Sequence, residues 1–417
     1  MKDTKPNICF LFTKKFPYGK AETYVHYEID FLSQAFNKIY IIPVEEFEFS
    51  EKRDVESERV IVFNINKSIE KTNFVNKLVG ILSDQFLLLK TLIGSRERVK
   101  CILTWKLYAK RLIHLRAQGK ALKTFFNKFQ LDENIICYHY WLHNSVIIQK
   151  LSGITANKTI SRAHALDLYH KNWPSENKNS FLQFEKLKIQ YCDFIYSISE
   201  HGINHFKKHF KKYQSKFKLS RLGIFDLCAN FQVKDLGDEL IIVTCSSLVE
   251  RKRLKLMPEI LKNLNGKFKW VHIGGSHSVE SNYLISTCNL YGINFEFKGQ
   301  MASAEIMDFY KNNNISLFCN LSNAEGIPVS LMEVAMFGIP MLATNTFGNP
   351  EIVNKNNGIL IPVDFYENDV AHEINMLFSN AKGWKDKSIA ARGVYESYYN
   401  ASLNFTTFLA QINERKT

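Results

Sequence analysis

Glu325 and Glu333 stand eight residues apart, with Gly326, Ile327, Pro328 and Val329 following directly on the first of them. Ionised carboxylates only accept hydrogen bonds, so the pair suits a ligand rich in hydroxyls, such as a sugar or a ribose. Pro328 sits where a first helical residue belongs, and Val329, Met332, Ala335 and Met336 repeat behind it at helical spacing. Glu325 therefore precedes a helix, and Glu333 lies within its first two turns. The free N–H groups at that helix start, carrying about half a positive charge, suit a phosphate. Hydroxyls beside a phosphate describe a nucleotide sugar.

The elements that must hold these groups are legible on both sides. Ile315 to Leu321 is an apolar run short enough for a buried parallel strand, and Ser322 to Gly326 is a polar turn. Gly338 ends the helix, and Ile339 to Thr344 reads as the next strand. The result is a βαβ unit with its loop at the carboxyl end of a strand, where open α/β sheets bind ligands.

The stretch EGIPVSLME resembles the E-x7-E motif of the retaining glycosyltransferases of family four (glycosyl transferases group one). Its flanks are similar too: an apolar strand before, FGIPMLAT after, then GNPEIV and a turn at Asn357-Gly358. The resemblance implies an α/β chain of GT-B fold, two Rossmann-like doubly wound domains facing a cleft. Residues 1–233 are then expected to bind the acceptor, 234–394 the nucleotide sugar, and 395–417 to form a helix crossing back to the first domain. It further implies that Glu325 positions sugar hydroxyls, Glu333 holds the ribose, and the helix start at Gly326, Ile327, Pro328 and Val329 faces the diphosphate.

Other stretches match in part. SSLVERKRL resembles the family's GRLxxxKG loop, whose arginine and lysine hold the diphosphate; Lys252 stands at the lysine, Ser247 at the arginine and Ser246 at the first glycine. Arg251 or Arg253 then supplies the second positive charge, or Ser247 a hydroxyl hydrogen bond. RAHALDLY resembles a RAHGxDLY-type loop in which a histidine faces the donor sugar, which points to His164, with Arg162 and Asp167 as companions and Ala165 at the family's glycine. GKAE resembles a GGxE-like loop, keeping Gly19 and Glu22 and placing Lys20 at the second glycine. Gly299 and Gln300 follow an element whose loop contacts the base in the family. Glu325, His164 and Lys252 are the expected catalytic set. No Asp-x-Asp triplet occurs, so no metal cofactor is expected. His201, His205 and His209 share a helical face, but Lys207, Lys208, Lys211 and Lys212 beside them would repel a cation, so a solvated or membrane-facing stripe is expected there.

Composition bounds the rest. With 46% hydrophobic and 13% aromatic residues in 417, the chain has enough apolar material for two globular domains. Eight cysteines without a CxxC pair read as reduced, buried thiols in a cytoplasmic protein. No signal peptide is visible, and no apolar run reaches the ~18 residues of a membrane span. The net charge of +13 is concentrated between Phe86 and Lys128, where eleven Lys and Arg face one acid, Glu97, for a local +10. Alternating apolar and basic residues there read as amphipathic helices suited to an anionic membrane surface; no nucleic-acid module accompanies them. The expected protein is a peripheral enzyme of the inner membrane face. It would transfer a sugar, with retention, from a nucleotide sugar to a lipid-linked glycan in capsule, exopolysaccharide or O-antigen assembly. The rival readings are a GT-B epimerase and a non-catalytic, sugar-nucleotide-binding partner subunit, the latter favoured by Ser247.

Overall fold

Runs such as Ile8-Cys9-Phe10-Leu11-Phe12 are apolar on both alternating faces, so the strands they form need cover on each side. A computed structural model, which describes residues 7–19, 22–45, 52–53, 55, 57–68, 102–129, 134–169 and 185–413, shows how they obtain it. Unit 1 comprises Met1–Ile198, Ile203–Leu219 and Thr406–Thr417, and unit 2 Ser199–Gly202 and Ser220–Phe405. The strands of unit 1 are β1 (Asn7–Thr13), β2 (Lys38–Pro43), β3 (Val60–Val62), β4 (Asn134–His139), β5 (Lys158–Ala163), β6 (Phe194–Ser197) and β7 (Phe217–Leu219). They form one parallel sheet in the order β3-β2-β1-β4-β5-β6-β7.

Side chains alternate across that sheet. Ile8, Phe10 and Phe12 pack with Leu112, Leu115 and Leu122 of helix Ile102–Phe126. Cys9 and Leu11 face the other way, onto Val25, Ile29 and Leu32 of helix Thr23–Ala35. Phe408 and Ile412, from the far end of the chain, join this second cluster.

Unit 2 repeats the plan with β8 (Leu240–Cys245), β9 (Phe268–Ile273), β10 (Phe295–Gly299), β11 (Ile315–Asn320), β12 (Met341–Thr344) and β13 (Gly358–Ile361). Its parallel order is β10-β9-β8-β11-β12-β13, with Trp270, Leu317 and Leu342 in the core. In each sheet the chain runs outward from a central strand and then returns to that strand's other side. The order therefore reverses between β1 and β4, and again between β8 and β11. Ligands of open α/β sheets bind beyond the carboxyl ends of such strands.

Three elements differ from the sequence-based expectation. The long segment of unit 2 begins at Ser220, earlier than the expected boundary at 233, because the irregular residues after β7 are anchored to it: Ile224 bridges to Asn400, and Asp226 pairs with Arg392 at 2.6 Å. The apparent helix Leu254 to Leu264 shrinks to Met257–Leu261, preceded by 3₁₀ turns that Arg253 interrupts with φ 50°. The final helix is Ala401–Asn413, set off from the turn Tyr395–Tyr399 by extended Asn400, and its residues from Thr406 onward belong to unit 1. Of the basic segment, Phe86 to Cys101 lies outside the described residues. Ile102–Phe126 is a single helix, and no helix among the described residues is long and apolar enough to cross a membrane.

Candidate functional site

The reversal point of unit 2 is framed by the loop after β8 and the loop after β11, and these are stitched together. Asn323 donates its backbone N–H to the Arg251 carbonyl at 3.0 Å. Arg253 donates from Nε to the Leu321 carbonyl and from Nη1 to the Val363 carbonyl, both at 2.7 Å. Its guanidinium is thereby committed to the scaffold and lies over the Phe365 ring. Arg251 and Lys252 turn instead to Glu325: Lys252 Nζ donates to Glu325 Oε1, and Arg251 Nη1 stands 3.7 Å from the same oxygen. Of the two arginines left open by the sequence, Arg251 is the one placed at the carboxylate.

The Glu325 loop is held from its other side by the loop after β12. Thr344 Oγ1 donates to the Ser322 carbonyl, and Thr346 Oγ1 to the Asn323 carbonyl at 3.0 Å. A Cβ on Gly348 would lie 1.9 Å from the Gly326 carbonyl oxygen, so only glycine permits this approach. Glu325, Gly326, Ile327 and Pro328 are all buried.

Helix Val329–Met336 starts directly after. Pro328 is its cap residue rather than its first turn, with φ −77° and ψ 123°, and no side chain caps the N-terminus. The first-turn N–H groups therefore keep their affinity for an anion. At the other end Gly338 takes φ 63°, with Ile339 N–H bonding Val334 and Gly338 N–H bonding Ala335, a Schellman stop. Glu333 is partly buried and has no hydrogen-bond partner among the described residues. Burial pushes its carboxyl up to about 7. It lies near Cys245, whose thiol burial drives to about 11, and near Tyr310, whose hydroxyl burial also raises.

The remaining unit 2 candidates sit at neighbouring strand ends. Ser247 is exposed, and its carbonyl accepts from Val249 N–H at 3.0 Å. Gly299, at φ 65°, accepts from Gly274 N–H at 2.7 Å, tying the loops after β9 and β10; Gln300 beside it is exposed.

Two candidates stand in unit 1. Gly19 adopts φ 69° in the turn after β1. His164, just past β5, is buried, and Nε2 lies 3.0 Å from the Tyr140 carbonyl. A carbonyl can only accept, so Nε2 carries the proton and Nδ1 the lone pair. Burial, then the nearby Arg162 charge, lowers this imidazole to about 3, keeping it neutral. The companions expected from sequence serve the scaffold instead. Arg162, fully buried, pairs with Glu28 at 3.0 Å, donates to the Tyr138 hydroxyl at 2.7 Å and lies over Phe408. Asp167 accepts from the backbone of His164 at 2.9 Å and of Leu142 at 3.3 Å. Trp141 was not singled out by sequence, although it lies two residues past the end of β4, at the reversal point. Its ring centroid lies 4.2 Å from that of His164.

Residues 229–393 match the family model described as glycosyl transferases group 1. The O-antigen biosynthesis glycosyltransferase WbnH of Escherichia coli is 29% identical over 150 residues, which cover 34% of this chain and 41% of WbnH. The amylovoran biosynthesis glycosyltransferase AmsK of Erwinia amylovora is 30% identical over 213 residues, 48% of this chain and 51% of AmsK. The chain thus spans about half, or less, of these relatives' lengths. The crystal structure of Anabaena Alr3699/HepE in complex with UDP superposes with TM-score 0.68 at 13% identity, covering 97% of this chain and 99% of that one. That likeness gives the fold: GT-B, with two Rossmann-like doubly wound sheets.

Proposed function

We propose that this protein, whose residues 229–393 match the glycosyl transferases group 1 model, is a retaining glycosyltransferase that moves a sugar from a nucleotide sugar to a glycan acceptor. The observation that carries this reading is the meeting of Arg251, Lys252 and Glu325 across the β8/β11 reversal, beside an uncapped helix start. A departing nucleoside diphosphate accumulates negative charge, and fixed cations with backbone N–H groups stabilise it best when already in place. Lys252, Arg251 and the N–H groups following Pro328 supply both. Glu333 then accepts from the ribose hydroxyls and Glu325 from those of the sugar. In unit 1, His164, neutral with Nδ1 as acceptor, suits a substrate hydroxyl. The acceptor hydroxyl attacks from the face the diphosphate leaves, and a diphosphate oxygen takes the proton, so no side chain need act as base.

Surface polysaccharide assembly is the pathway class, supported by the printed names of WbnH and AmsK. The local charge of +10 between Phe86 and Lys128, of which exposed Lys120 and Lys123 are described, supports a lipid-linked acceptor at an anionic membrane. Ser247 at the family's arginine position would favour a partner that binds without turnover; Arg251 beside Lys252 favours catalysis. UDP in the HepE structure makes uridine nucleotides the first donors to try. The deciding experiment incubates purified protein with radiolabelled UDP-sugars, with and without EDTA, and a lipid-linked acceptor. Labelled lipid formed in both conditions is the expected result; a donor that is bound yet never cleaved would refute it.

A further inference from the structure

The reversal point of unit 1, between β1 and β4, is also spanned by one carboxylate. Glu22 Oε2 accepts from the backbone N–H groups of Lys15 at 2.7 Å and Phe16 at 2.8 Å. Its Oε1 accepts from Lys14 N–H at 3.0 Å and from the Trp141 indole Nε1–H at 2.7 Å. Three successive backbone N–H groups of the β1 loop thus converge on a single side chain that also grips the β4 loop. Glu22 holds φ 58° and ψ 41°, a left-handed conformation unfavourable for a residue with a Cβ, and does not cap the helix it precedes. Such a conformation persists where surrounding contacts impose it. The Trp141 ring in turn has the Lys14 ammonium 4.1 Å from its centroid and the His164 ring 4.2 Å away.

We propose that Glu22 is a positioning residue: by clasping the β1 loop to Trp141 it fixes the indole against which the His164 imidazole rests. The placement of Nδ1, the acceptor nitrogen, follows from that clasp. The inference rests on the reading that His164 accepts from a substrate hydroxyl. Unit 2 offers the parallel, since the Lys252–Glu325 contact ties the two loops at its own reversal point. Glu22 contributes to placing a group rather than to holding nucleotide, so its loss should spare nucleotide affinity and slow transfer.

Glu22→Gln sets an NH₂ donor among four donors that need acceptors, releasing the clasp without removing bulk. Its kcat should fall about 100-fold, the scale expected for a reacting group displaced by about an ångström. Calorimetric affinity for UDP or GDP, whichever the wild type binds, should stay within about twofold of wild type, since those contacts lie in unit 2. Trp141→Phe keeps a ring against His164 and deletes only the indole donor, so it folds if Glu22→Gln does not; it should lose about tenfold in kcat. In a His164→Ala background, Glu22→Gln should cost no more than about threefold, because its effect passes through the missing imidazole. Wild-type kcat in Trp141→Phe and Glu22→Gln, with His164→Ala impaired, overturns the clasp alone. So does an undiminished Glu22→Gln penalty in the His164→Ala background. Wild-type turnover by His164→Ala instead removes the reading of His164, and the clasp with it.

Discussion

Lys252 and Glu325, 73 residues apart in sequence, share a hydrogen bond, and Arg251 approaches the same carboxylate oxygen to 3.7 Å. The cations proposed to receive a diphosphate are thus already balanced by a carboxylate proposed to receive sugar hydroxyls. A bound diphosphate has to share them.

Glu325→Gln should therefore act in opposite directions on two measurements. Transfer falls by orders of magnitude, because the amide offers the sugar one acceptor oxygen where the carboxylate offers two. Affinity for the nucleoside diphosphate product rises about tenfold, since a negative charge that Lys252 and Arg251 now share with the phosphates is gone. Calorimetry with UDP or GDP reads the second effect. Product binding equal to or weaker than wild type would show that the carboxylate does not restrain these cations.

On the proposed reading, Arg251 stands in for the arginine that Ser247 replaces. Arg251→Ala should weaken nucleotide-sugar binding about 10- to 100-fold, the range for losing a charge-assisted contact to phosphate. Returning an arginine at the family position, as Ser247→Arg in the Arg251→Ala background, should recover much of that loss. No recovery, with the double variant folded, would mean that the two positions do not serve one phosphate.

The central stretch was readable because each local signal agreed with the next: a buried strand, a polar turn, a proline at the helix start and Gly338 at its end. Both reversal points follow from the strand order. What sequence left undecided was which side chains the scaffold consumes. Arg251 and Arg253 are two residues apart and chemically identical, yet the left-handed backbone at Arg253 sends its guanidinium to two carbonyls. Arg162 looked like a companion of His164 because RAHALDLY resembles a family loop that carries both, but its partner Glu28 lies 134 residues off. Trp141 went unremarked because its significance comes from Glu22, 119 residues earlier.

Glu333 predicts a pH dependence with a defined sign. Burial raises its carboxyl from the ordinary 4.5 to about 7. Between those values the folded chain holds a proton that the unfolded chain has lost. The contribution to stability is therefore full below 4.5 and is lost as pH rises through 7. Glu333→Gln, which never ionises, should melt above wild type at pH 8.5, with the gap shrinking towards pH 5. Binding runs the other way. If Glu333 holds the ribose as proposed, its ionised form accepts from two hydroxyls, so wild-type affinity for a UDP-sugar, whose diphosphate does not titrate here, should rise from pH 6 to 8. The Glu333→Gln profile should be flat. A wild-type profile equally flat would remove the carboxylate from the ribose.

The Glu28–Arg162 pair makes a prediction about stability alone. Both side chains are almost wholly buried, at 2% and 0% exposure, and Tyr138 and Phe408 complete their surroundings. Removing one partner strands a charge in the core, so Glu28→Gln should destabilise unit 1 by about 3–5 kcal/mol. Replacing both, as Glu28→Leu with Arg162→Met, removes the charges together and should recover most of that loss, since buried pairs often exchange for apolar residues at little cost. Nucleotide affinity, proposed to reside in unit 2, should be unchanged in the double variant. Urea denaturation and calorimetry read these two quantities separately. A double variant as unstable as Glu28→Gln would mean that packing, rather than the stranded charge, sets the penalty.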